Sequence, residues 1–108
     1  MSSIRSLMDF VKKAFREDRL LTSTFYAKDI HSFLLSVRNS VIYVNTYWKE
    51  DYTKFIKALK EAFKVLKENS EIPCLVTIQP YITRYVLMLR CKNKDFIIRI
   101  DRKGLKDP

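Results

Sequence analysis

Few residues in this chain have the types that perform covalent or metal chemistry. There is one histidine, His31, and there are two cysteines, Cys74 and Cys91; a single glycine excludes a glycine-rich phosphate loop. His31 has no neighbour in sequence that completes a motif and reads as a surface or packing residue. Cys74 and Cys91 fall on adjacent predicted strands, where a two-thiol metal site would lack its other ligands. They read as buried thiols, with an oxidised pair as the alternative. The carboxylates are scattered, with Asp9, Glu17 and Asp18 in the first predicted helix and Asp95 and Asp101 in the last hairpin. Two acids can share a metal for nuclease work, but neither group has a clear inward-facing partner with a lysine nearby. The expectation is a non-enzymatic protein with no catalytic residue, metal or cofactor.

The cations are the informative residues. Lys and Arg number 21 against 12 Asp and Glu, a formal charge of +9, and no segment of the chain is acidic. A basic field on every element favours a polyanionic partner, and the bland alternative is solubility alone. Arg38, Arg84, Arg90 and Arg99 fall on predicted strands, among Tyr43, Tyr47, Val86 and Met88. Guanidinium forks pair with phosphate oxygens, and both planar groups stack on unpaired bases, a combination suited to RNA. Lys92 and Lys94 in a predicted hairpin turn, with Arg102 and Lys103 in the C-terminal tail, complete the candidate nucleic-acid-binding set. The tail reads either as a short arm tracking phosphates or as a frayed terminus. Lys54, Lys57, Lys60, Lys64 and Lys67 form a stripe that reads as a solvated helix face, one that would position a partner but not specify it.

The elements that must carry these residues follow from hydrophobic periodicity. Residues 4–19 place Ile4, Leu7, Met8, Val11, Ala14 and Phe15 at helical spacing, and residues 52–67 do the same with Tyr52, Phe55, Ile56, Leu59, Ala62, Phe63 and Leu66. Residues 72–79, 84–91 and 96–101 read as strands, with a four-residue turn at 92–95. Upstream, 33–38 and 41–47 read as a hairpin and 22–28 as a weaker strand. Residues 30–38 also fit a helix capped by Asp29, but strand is preferred. Alternation turns Tyr85, Leu87, Leu89, Cys91, Phe96, Ile98, Ile100, Phe33, Leu35 and Val37 toward the core. It turns Arg84, Val86, Met88, Arg90, Ile97, Arg99, Asp101, Leu34, Ser36 and Arg38 outward, and Tyr43, Asn45 and Tyr47 outward if Ile42 and Val44 face in.

The two halves align. At an offset of 48, Leu7, Met8, Val11 and Phe15 fall on Phe55, Ile56, Leu59 and Phe63; at 52, Phe33-Leu34-Leu35 fall on Tyr85-Val86-Leu87. The expected fold is therefore α+β, a single domain over 1–108 built from a tandem αβββ repeat, with halves at about 4–48 and 52–102. Six strands would form one antiparallel sheet with two helices packed on one face, because a unit of ~50 residues makes a poor core alone. The other face would stay open.

The stretch from Phe55 to Lys103 resembles the small Alu-RNA-binding proteins of the signal recognition particle. The shared features are an amphipathic helix, the β-rich run Pro73-Cys74-Leu75-Val76-Thr77-Ile78, and a hairpin alternating apolar and basic residues (Val86 to Arg90, Phe96 to Ile100). The resemblance implies an αβββ unit whose sheet serves RNA. It covers about half of the chain, which lacks that family's closing C-terminal helix, and it transfers no contact residue.

The sequence therefore points to a basic RNA-binding component of a ribonucleoprotein such as the ribosome. Its partner would be structured RNA, ribosomal or of another particle, bound through the Arg/Tyr sheet face. The alternative is a protein-interaction subunit or homodimer using that face through Val86, Met88 and Leu34. A DNA-binding protein comes third, as no helix-turn-helix spacing is visible. No apolar run approaches the ~20 residues of a membrane span. With no export signal evident and only two cysteines, the expected location is the reducing cytoplasm.

Overall fold

A computed structural model describes residues 4–43 and 52–104. Three helices, α1 (Ile4–Glu17), α2 (Ala27–Ser36) and α3 (Tyr52–Glu68), accompany five strands. The strands are β1 (Leu21–Tyr26), β2 (Val41–Tyr43), β3 (Pro73–Pro80), β4 (Arg84–Cys91) and β5 (Lys94–Asp101). Short 3₁₀ turns follow α2 at Arg38–Ser40 and β5 at Arg102–Gly104. The strands form one antiparallel sheet in the order β1-β3-β4-β5-β2. The α+β class and the single antiparallel sheet are as expected. None of the described helices is long and apolar enough to cross a membrane.

The first half departs from the expected repeat. Residues 27–36 are helix, so that half runs αβαβ and there are three helices and five strands among the described residues. Its strands do not form a second three-stranded unit. They flank the central β3-β4-β5 meander, one at each edge. Within α2 the buried residues are Ala27, Ile30, Phe33 and Leu34, a helical spacing, while Leu35 is exposed. Leu34, expected on the open face, is fully buried. Asp29 stands in the first turn of α2, where a carboxylate complements the helix dipole. The first amides of α2 find distant acceptors: Ala27 N–H donates to the Ile72 carbonyl at 2.9 Å and Lys28 N–H to the Ser70 carbonyl at 3.0 Å. No run of local sequence could supply those partners.

The second half follows its periodicity closely. Cys74, Val76, Ile78, Leu87, Leu89, Ile98 and Ile100 all point inward. They join Leu7, Val11, Ile30, Phe33 and Leu66 in one core, so all three helices lie on the same face. The 92–95 turn is shorter than expected, because Cys91 pairs with Lys94 and only Lys92 and Asn93 form the loop. Lys92 takes φ 55° there, the left-handed conformation a two-residue hairpin demands.

The cysteines are a further correction. Cys74 and Cys91 are joined in a disulfide, with Cα atoms 4.6 Å apart. That separation matches a non-hydrogen-bonded cross-strand pair, the antiparallel position where side chains approach most closely. Both residues are buried.

Candidate nucleic-acid interface

The uncovered face of the sheet is set by strand register. Arg90 stands opposite Leu75 and Asp95, Met88 opposite Thr77 and Ile97, and Val86 opposite Gln79 and Arg99. Thr22 extends the Met88 row to the β1 edge, its hydroxyl 3.1 Å from that of Thr77. The centre is apolar: Leu75 and Met88 are exposed at 42% and 38%, and Val86 and Ile97 are half-buried. Leu75, Thr77, Met88, Arg90, Asp95 and Ile97 border a shallow depression of about 300 Å³.

Arginines bracket this strip. Arg84 and Arg90, on the same strand and six residues apart, are separated by about 20 Å along the sheet. Arg84 and Arg99 occupy neighbouring rows of adjacent strands. Burial lowers the affinity of the Arg99 guanidinium for its proton, and the positive charge of Arg84 lowers it further. Tyr81, from the loop joining β3 to β4, sets its ring 5.8 Å from the Arg84 guanidinium. At the other end, Arg90 donates to both carboxylate oxygens of Asp95, at 3.1 and 3.4 Å, which holds its own proton more tightly.

The sheet brings together only part of the expected set. Arg84, Arg90 and Arg99 share the open face. Arg38 does not: it is exposed in the turn after α2, because 30–38 is not a strand. Lys94 faces the helix layer and pairs with Glu61 of α3, whose carboxyl is lowered by that bond and by Lys57 and Lys64. Lys92 is exposed at the hairpin tip, and Lys103 is exposed with its amide donating to the Asp101 carboxylate at 2.8 Å. Tyr43 lies on β2 opposite Ile98, and Tyr47 is outside the described residues.

Arg102 is the clearest correction to the flexible-arm reading. Its guanidinium lies 3.4 Å from the Phe15 ring centroid and donates to the carbonyls of Tyr81 and Ile82 at 2.9 and 2.6 Å. Its own amide donates to the Thr83 carbonyl at 3.1 Å. The side chain thus ties the end of β5 to α1 and to the β3–β4 loop.

Leu75 and Tyr81 were not among the expected site residues. Alternation applied to 73–80, as it was to 84–91, would have turned Leu75, Thr77 and Gln79 outward. Nothing local marks Tyr81, whose place beside Arg84 depends on the loop. His31 packs its ring edge-on against Phe63 at 5.4 Å. Burial, and then the charge of Lys67, lower its pKa below the ordinary value. Among the described residues, no three His, Cys, Asp or Glu side chains converge to hold a metal ion. Comparisons with protein families, curated proteins and solved structures found no match for this chain.

Proposed function

We propose that this protein is a non-enzymatic RNA-binding module whose open sheet face receives unpaired nucleotides of a structured RNA, as part of a ribonucleoprotein. The observation that supports this is the diagonal placement of Arg84 and Arg99 on β4 and β5 at one end of an exposed apolar strip. Asp101 stands opposite Arg84, so two arginines against one carboxylate leave this end of the face net positive, which favours a further anion. The strip of Val86, Met88, Ile97 and Leu75 then offers flat apolar contact to bases, with Arg90 at the far end. Sheet-based RNA modules stack two or three bases on aromatic side chains of the sheet; on this strip aliphatic side chains take that place. The protein would act where its RNA is, in the cytoplasm. A disulfide is uncommon in that reducing compartment; burial of both residues slows its reduction to the rate at which the structure opens.

Fluorescence anisotropy with a labelled single-stranded RNA and with a hairpin carrying an unpaired loop tests this reading. The expected result is binding that weakens steeply between 50 and 200 mM salt. Arg84→Ala with Arg99→Ala should weaken it at least tenfold while the thermal midpoint holds. Unchanged affinity in that variant refutes the site.

The exposure of Leu75 and Met88 also favours a second reading, in which the same face contacts protein. A dimer in sedimentation, dispersed by Met88→Glu and accompanied by no RNA binding at 50 mM salt, would establish it instead.

A further inference from the structure

The helix layer carries a second concentration of positive charge, on the side of the molecule away from the open sheet face. Lys57, Lys60, Lys64 and Lys67 are all exposed on α3. They lie ten residue steps apart from end to end, from 57 to 67, a ridge of about 15 Å. Exposed helix faces are ordinarily relieved by acids three or four residues away. Here Lys57–Lys60, Lys60–Lys64 and Lys64–Lys67 are like-charged neighbours at those spacings. Two acids stand beside the row: Glu61, four residues from Lys57 and three from Lys64, is drawn to Lys94 on β5, and Glu68 lies four residues from Lys64. None of the ion pairs among the described residues involves any of the four lysines. With four lysines against Glu61 and Glu68, the face keeps an excess of positive charge that a polyanion can neutralise from outside.

We infer that the lysine ridge of α3 is a second RNA-binding surface, separate from the sheet face, that takes the phosphate backbone of a duplex stem. Lysine suits this role: it supplies a compact point charge without demanding the planar geometry that arginine imposes. Each lysine can neutralise one phosphate, so the ridge answers up to about four of them. It positions a stem without reading its sequence. Because the ridge and the sheet face lie on opposite sides of the core, a stem and an unpaired segment can be held at once. The inference shares with the proposed function the choice of RNA as partner, but it rests on different residues.

The test uses the full chain and a blunt-ended 16-base-pair RNA duplex, which offers the sheet face no unpaired base. Affinity should fall with salt at a log–log slope of about −3 to −4, a loss of roughly 100-fold between 50 and 200 mM. Lys60→Ala with Lys64→Ala should reduce that slope by about 2 and leave single-stranded binding unchanged. Alanine is the best helix former, so this variant keeps α3. Arg84→Ala with Arg99→Ala should leave duplex binding intact. The inference is overturned if no duplex binds at 50 mM salt, if the lysine variant binds duplex with an unchanged slope, or if the arginine variant loses the duplex. Failure of the sheet-face site would show with single strands and the arginine variant, so the two failures are distinguishable.

Discussion

Reducing the Cys74–Cys91 disulfide should cost the protein about 3 kcal/mol of stability. The bond closes a loop with a sequence separation of 17. In the chain-entropy description a loop of this size removes about 10 cal/mol/K from the unfolded ensemble, or ~3 kcal/mol at 25 °C. The native side of the equilibrium changes little, because β3 and β4 are already paired from Leu75–Arg90 to Pro80–Tyr85. Reduced protein keeps both sulfur atoms in the core, so it isolates the cross-link from packing loss; a Cys74→Ala, Cys91→Ala variant adds that loss. Each kcal/mol is worth roughly 4–8 °C in a domain near this size, so the midpoint should fall by about 12–24 °C on reduction. Urea unfolding of oxidised and reduced protein provides the free energies. The oxidised form should also show the smaller m-value, because its unfolded chain is more compact. Reduction of the folded protein should be slow, since both residues are buried and a reductant must wait for opening. Oxidised and reduced forms unfolding within 1 kcal/mol of each other would refute the reasoning.

Arg102→Ala should lower stability by about 1–3 kcal/mol, by removing charge-assisted bonds to two loop carbonyls and the stacking on Phe15, and leave RNA affinity unchanged. Weakened RNA binding with an unchanged thermal midpoint would return Arg102 to the role expected from sequence. Leu34→Ala should cost about 2–5 kcal/mol and Leu35→Ala less than about 0.5, measured by chemical denaturation; the reverse order would mean that 30–38 is a strand. His31 has a lowered pKa in the folded state, so the unfolded chain binds the proton more readily. Stability is therefore retained above the ordinary histidine pKa of about 6.5 and declines as the pH falls below it. His31→Phe should remove that component from a pH series of unfolding curves; an unchanged pH slope would show that another group carries it.

Much of the second half is legible from sequence. Period-two alternation from Arg84 to Asp101 assigns both faces of the β4–β5 hairpin, because one face is buried and a one-residue slip would put Leu87, Leu89, Ile98 and Ile100 into water. The same alternation placed Arg84, Arg90 and Arg99 on the open face. The amphipathic stripes of α1 and α3 are equally direct, since a helix presents an apolar face to the sheet only at that spacing. From these alone the α+β class and the single sheet follow, as does the concentration of lysines on one side of α3.

Tertiary structure decided the rest. A short apolar run such as Ile30 to Val37 suits either period. Helix prevailed because the core takes up Ile30, Phe33 and Leu34 together, and the carbonyls of Ser70 and Ile72 accept the first amides of α2. That choice removed Arg38 from the sheet, and the first-half strands took its opposite edges. The roles of the charged residues were also settled by neighbours remote in sequence: Glu61 draws Lys94 to the helix layer, and Phe15 with the β3–β4 loop turns Arg102 into a clamp. Alternation tells which way a cation points. What it meets there depends on chain segments that only folding brings near, and for the same reason the cysteines read as thiols until register set them face to face.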